Sequence, residues 1–555
     1  VGYGGTGTLA VQGTLHASTL SLGFEGGRGS FALAGSQALL SSDLFLGRTT
    51  LSVGGDGYGS ALFADRSNAF LRQVTIRAPD AGSDGLGSVL RVSGGATVES
   101  DDIRVGAHAR LRVESGGRLD MADLYVGFDA PGLANPGTAT VDVVGGRLAA
   151  DSINVGAGQA SLLSIGSGAQ LVVANHLVVN PRGRLLLDGG SVSARSLILS
   201  EPTLLDWRRG HLTLDAVDIG AGSGFGSVLV VPADSILQAR SVVSVLPGSV
   251  LLLSQPGAVL RASGLSLDGG TVVGPLSLAE VRGIGGHGTV LGRVAGGSGS
   301  SSINVHGGDL SLGTLALADA VALGTKVLVF EDRTLLLLSA NEAQLGPNTR
   351  LQDGARLVTV NGAVLGAGEV LETPGFHARV QGRFVNNGTV QALARGSITF
   401  EDDVSGSGSF SGRIVFSDGF TPGAGSTSFG GGDVVFDASS ELAIPIGPSG
   451  EGRLVDIAGF SLGGSLLLNF DAGFEARAAG GLRLDLLDFQ RWAGGFDLAQ
   501  VQVQGFDRSR LDFSQFALDG SIAVAAVPEP GSWVLTILGG LGLAIWRGAV
   551  AGRRR

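Results

Sequence analysis

In a chain of 555 residues without cysteine, three carboxylate groupings are the first candidates for acid–base chemistry: Asp101-Asp102, Glu401-Asp402-Asp403, and Asp485 with Asp488. Their spacing is not distinctive. Adjacent carboxylates on a strand point to opposite faces, so Asp101 and Asp102 act together only if the chain bends between them. The seven histidines are scattered, with no pair at metal-ligand spacing. Gly54-Gly55-Asp56-Gly57 is one copy of a calcium-turn pattern, too little for a site without tandem repetition. The lack of cysteine removes thiol nucleophiles, Cys-ligated zinc and disulfides. The expectation is no catalytic residue, no metal and no cofactor.

Arginine offers a different chemistry, the recognition of anions. Arg91 and Arg112 occupy the middle of matching triplets, Leu90-Arg91-Val92 and Leu111-Arg112-Val113, and Val141-Asp142-Val143, Leu163-Ser164-Ile165 and Leu185-Leu186-Leu187 continue the series. A second series contains Arg104 and Tyr125: Ile103-Arg104-Val105, Leu124-Tyr125-Val126, Ile153-Asn154-Val155 and Leu177-Val178-Val179. In each triplet the outer two side chains point inward and the middle one outward.

What positions these side chains is a repeat. The pairs Gly94-Gly95, Gly116-Gly117, Gly145-Gly146 and Gly189-Gly190 are separated by 22, 29 and 44 residues. The last interval is twice the first, and the middle one is a period of 22 plus an insertion, for which Phe128 to Gly137 is the candidate. A period near 22 built from three short strands predicts the coil of a right-handed parallel β-helix, some 20 coils over residues 1–435. On that register Arg91 and Arg112 stack on adjacent coils with Asp142 following, and Arg104 stands over Tyr125. Stacked like charges are unfavourable unless something negative lies across them. Arg91, Arg104, Arg112 and Tyr125 are therefore candidates for contact with an acidic exopolysaccharide, against the alternative of solvent screening with help from Asp142.

Composition agrees with a packed, turn-rich chain: 95 Gly, 44% apolar and only 16% charged residues, unlike a disordered segment. The net charge of −11 disfavours nucleic acid as a partner. Aromatic residues gather after 436, among them Phe460, Phe474, Trp492, Phe496 and Phe516, and are read as core filling for a cap, with a carbohydrate platform as the alternative.

The last 29 residues form three ordered parts. Val527-Pro528-Glu529-Pro530 is extended and accessible, because proline fixes φ and lacks an amide donor. An uncharged run from Gly531 to Ile545 follows, and then Arg547 and Arg553, Arg554 and Arg555. Read as a transmembrane helix, the run reaches the necessary length only if it extends to Ala551 with Arg547 bent back to the interface. The arginines would then orient it with the preceding chain outside the cytoplasm. This tail resembles the PEP-CTERM sorting signal of exported proteins in Gram-negative bacteria. The resemblance implies processing by an exosortase, passage through the inner membrane with transient anchoring, and delivery to the cell surface or extracellular matrix. The chain starts Val1-Gly2-Tyr3 without a leader, so it is read as a fragment or processed form.

Two stretches near the end resemble autotransporter-like passenger repeats: Phe384-Val385-Asn386-Asn387-Gly388-Thr389-Val390, and Phe420 to Ser426 with its Pro422-Gly423 turn. Gly452 to Ile457 with Leu462-Gly463-Gly464-Ser465-Leu466 resembles their closing segment. No run of outer-membrane barrel strands follows, which disfavours an autotransporter passenger as such.

The expected architecture is all-β: parallel β-helix repeats over 1–376, terminal autotransporter-like coils over 377–435, a β-rich cap and spacer over 436–526, and the sorting signal with a single transmembrane helix over 527–555. The expected function is that of a non-enzymatic exported protein of the cell envelope or matrix, associated with exopolysaccharide, biofilm or adhesion. The alternative is a β-helical polysaccharide lyase or hydrolase.

Overall fold

The computed structural model describes residues 1–526 except 12–14, 17–18, 24–27, 35–42, 46–49, 55–57, 79–86, 129–136, 297–300, 315–320 and 495–496. Most of the calcium-like turn, most of the insertion after Phe128, Phe496 and the whole tail 527–555 thus lie outside the described residues.

The chain is a right-handed parallel β-solenoid of about 18 turns with some terminal sheet. It divides into two compact units, Val1–Thr325 and the residues from Lys326 on. There are fewer turns than a uniform 22-residue period implies because several coils are longer: Arg28 pairs with Tyr58 and Arg110 with Thr140, 30 residues on in both cases.

In the first unit, short strands such as Ser88–Val92, Ala109–Glu114, Ala139–Val144 and Ser161–Ile165 stack in one parallel ladder. Longer strands, Thr97–Val105, Arg118–Val126, Arg147–Val155 and Gln170–Val179, stack in another. The longer strands serve two faces. In Thr97–Val105 the in–out alternation breaks at Asp101 and Asp102, which both face out, so the strand turns a corner there. Leu90, Val92, Leu111, Val113, Leu163 and Ile165 are fully buried, one layer per coil; burying such a side chain contributes roughly 1.5–3 kcal/mol, and each coil covers the apolar edge of the next. Ser167-Gly168-Ala169 supplies the turn missing from the doubled interval, with Gly168 at φ 69°.

In the second unit three parallel ladders run side by side, seen in Val370–Thr373, His377–Gln381 and Phe384–Asn386 and in the coils stacked on them. Parallel pairing continues past residue 436, to Leu487–Trp492 and Val501–Gln504. An antiparallel sheet of Leu482–Asp485, Ser521–Val524 and Leu511–Asp512 forms the terminal sheet. The core here changes character. Phe384, Phe400, Phe410, Phe416, Phe420 and Phe436 are buried with ring centroids 4.6–6.4 Å apart between neighbours.

One expectation is corrected. Among the described residues no helix is long and apolar enough to cross a membrane; the two α-helices, Phe474–Arg477 and Phe516–Asp519, have four residues each. The stretch on which the transmembrane helix was placed lies outside the described residues, and its uncharged run, at about 1.5 Å per residue, is shorter than a roughly 30 Å hydrocarbon core. The transmembrane helix, the inner membrane as a partner before processing, and transient membrane anchoring are accordingly withdrawn.

Candidate functional site

The register places Arg112 beside Arg91 on one side and Asp142 on the other. The negative group across the two arginines comes from the chain itself. Glu114 lies two residues beyond Arg112 on the same strand, hence on the same outer face. Its Oε2 accepts from Arg91 Nε at 2.6 Å, and its Oε1 lies 3.2 Å from Arg112 Nη2. Arg110 reaches Asp142 at 3.4 Å. Burial pushes the Asp142 carboxyl up, while Arg110 and Arg112 pull it down. Glu114 therefore supplies the counter-charge that an external anion was invoked to provide. Sequence reasoning missed it by comparing triplets and stopping at Val113.

The same device recurs. Asp206 bridges Arg184 and Arg208 at 2.9 and 3.2 Å, and Asp215 bridges Arg240 and Arg195 at 2.6 and 3.7 Å. In the second unit Glu401 bridges Arg379 and Arg356 at 3.2 and 3.5 Å. One carboxylate thus clamps two guanidinium groups in each case. Replacement of Glu114 by Gln should leave Arg91 and Arg112 facing each other and lower stability by about 1 kcal/mol, since these pairs are partly solvent-screened. Adding Arg112→Leu to that variant should recover most of the loss in denaturant unfolding.

Arg104 pairs in register with Tyr125. Its guanidinium carbon is 5.8 Å from the Tyr125 ring centroid and 5.0 Å from that of Phe128, with Asp102 Oδ2 at 3.5 Å. These are cation–π distances. All four arginine and tyrosine candidates lie on outer faces, in two different ladders, and each arginine has an internal partner.

The carboxylate candidates fare differently. Glu401 is committed to its two arginines, Asp402 accepts from the Gly382 amide at 2.7 Å, and Asp403 is exposed. Asp485 lies 3.4 Å from Arg483, and Asp488 is exposed. Asp101 and Asp102 both point outward, because the strand turns a corner there. Stacked corners bring Asp102 beside Asp123 and put Asp151 on the next coil. An open groove of about 690 Å³ takes in Asp101 and Asp151 of these corners, together with Arg72, Glu99, Asp120 and Met121 among others. Burial, then Asp102 and Asp151, raise the Asp123 carboxyl above the ordinary range.

A carboxyl raised on folding binds its proton more tightly in the native state, so the ionised form opposes folding above that pKa and the penalty fades as pH falls through it. Asp123→Asn should therefore melt higher than the parent protein at pH 7, with the difference shrinking steadily toward pH 4. Thermal melts across that range check both sign and trend.

His176 Nδ1 lies 2.8 Å from Ser196 Oγ, and His377 Nδ1 lies 2.7 Å from Ser397 Oγ, each pair bridging adjacent coils. Among the described residues no carboxylate is placed on either imidazole, so these are ladder contacts rather than assembled triads. Among the described residues no group of three His, Asp or Glu could hold a metal ion.

The fold defines a class, the parallel β-solenoids, whose stacked coils present repeating ladders to solvent. No family model matches the chain, and no curated protein matches it.

Proposed function

We infer that the protein is a non-enzymatic exported scaffold of the cell surface or extracellular matrix, associated with exopolysaccharide and delivered through its PEP-CTERM-like tail. The observation that carries this reading is the repeated use of charge as a clamp between coils: four bridging carboxylates, Glu114, Asp206, Asp215 and Glu401, each hold two arginines. Such side chains stabilise a long ladder surface. A carboxylate held between two guanidinium groups is poorly suited to deliver or take a proton. Val527-Pro528-Glu529-Pro530 supports export. In a Gram-negative host that exports such proteins, the parent chain should collect in the surface and matrix fraction, and Pro528→Ala with Pro530→Ala should remain with the cell. Identical distributions would remove the sorting role.

One observation favours a second reading, glycan cleavage. Asp123 has a raised carboxyl beside Asp102 and Asp151. Adjacent coils are about 4.8 Å apart, near the roughly 5–5.5 Å between the carboxylates of a retaining glycosidase. Release of reducing ends by the parent chain, abolished by Asp123→Asn, would establish that reading; no release from exopolysaccharide removes it.

A further inference from the structure

We propose that the outer face carrying the acidic groove is a binding track for a neutral, extended polysaccharide chain lying along the coils of the first unit. This rests on the reading of an exopolysaccharide-associated scaffold and specifies its ligand and its surface. The pairing register aligns Thr97, Arg118, Arg147, Gln170, Ser191 and His211 in one straight row, one residue from each of six successive coils. All six face outward. At about 4.8 Å per coil the row advances about 24 Å, and its step is close to the length of one sugar residue in an extended chain. A repeating ligand can therefore meet a hydrogen-bonding side chain at each residue.

Two grooves lie on this face. The acidic groove covers its early coils, and a second, of about 440 Å³, contains Gln170, Ser191 and His211 themselves. Turn glycines Gly168, Gly189 and Gly210 line the second groove and keep its wall low. The row is also under-used by the protein. Arg118 is held by Asp120 at 2.5 Å, but Arg147, Gln170 and His211 have no side-chain partner among the described residues. Gln170 offers two donors and an acceptor. Beside the row, Ala149 and Val172 face outward and give apolar ground for the C–H face of a sugar ring.

Charge selects the class of glycan. Glu99, Asp101, Asp120 and Asp151 gather in the first groove against Arg72, and Arg118 is already neutralised by Asp120, so a polyuronate crossing that groove would bring its carboxylates onto a net negative patch that the single cation Arg147 does not offset. A neutral chain meets no such cost. The ligand is thus a neutral glycan rather than the acidic one suggested by Arg91 and Arg112.

The test measures binding of the full chain to a neutral linear β-glucan hexasaccharide and to an alginate hexasaccharide. The parent protein should prefer the glucan, with an affinity insensitive to salt, and the triple variant Arg147→Ala, Gln170→Ala, His211→Ala should lose at least tenfold while its melting temperature and β-sheet spectrum stay unchanged. Arg91→Ala with Arg112→Ala should leave glucan binding intact. Preference for alginate, or full glucan affinity in the triple variant, overturns the track alone and leaves the scaffold reading standing. Failure to bind either sugar or native exopolysaccharide overturns both.

Discussion

Phe416→Ala should strongly destabilise the second unit, costing about 3–5 kcal/mol. Phe416 is fully buried and touches four other rings, with centroids at 5.8 Å to Phe400, 5.9 Å to Phe410, 4.6 Å to Phe420 and 5.0 Å to Phe436. Truncation removes the transfer free energy of the ring and leaves a cavity in a column that rigid strands above and below cannot collapse. Ring–ring pairing adds about 0.5–1.5 kcal/mol per pair beyond area alone. Because coils couple to their nearest neighbours, the loss should appear as local opening of several coils, read by hydrogen exchange across Ile414 to Phe436. Phe376→Ala, at a ring 44% exposed, is the control and should change stability by less than about 0.5 kcal/mol.

Gly156→Ala should cost more than about 3 kcal/mol in the first unit, for a reason that has nothing to do with apolar burial. Gly156 has φ 81°, where an L side chain costs about 1–2 kcal/mol. An added Cβ would also stand 2.1 Å from the Gly183 amide nitrogen on the next coil. Backbone cannot yield there without spreading two coils and breaking the ladder between Ser161–Ile165 and the Gly183–Leu199 strand. Gly222→Ala, which meets nothing within 4 Å, should be close to neutral. Chemical unfolding of the two variants separates coil spacing from simple loss of glycine.

The solenoid was legible because its causes are local and repeated. Triplets such as Leu90-Arg91-Val92 and Leu111-Arg112-Val113 declare an inward–outward alternation, and paired glycines mark where the chain must turn. Four things were not legible, each for a physical reason. Glu114 escaped notice because a bridging carboxylate need not occupy the same rung as the arginines it clamps. The corner at Asp101-Asp102 breaks the alternation that places adjacent side chains on opposite faces, so both carboxylates point outward. The phenylalanine column, from Phe384 onward, was anticipated only after 436, because its members come from three different strands per coil and show no single spacing in sequence. The row from Thr97 to His211 was hidden differently: its residues share no chemical type, and only the register reveals that they form one line.

A scaffold of this kind holds polysaccharide without cutting it. The most direct measurement incubates the purified chain with exopolysaccharide from a Gram-negative matrix and follows co-sedimentation together with polymer length. The chain should co-sediment with the polymer and leave its length unchanged over hours. Shortened polymer, or polymer left wholly in solution, would contradict the scaffold reading.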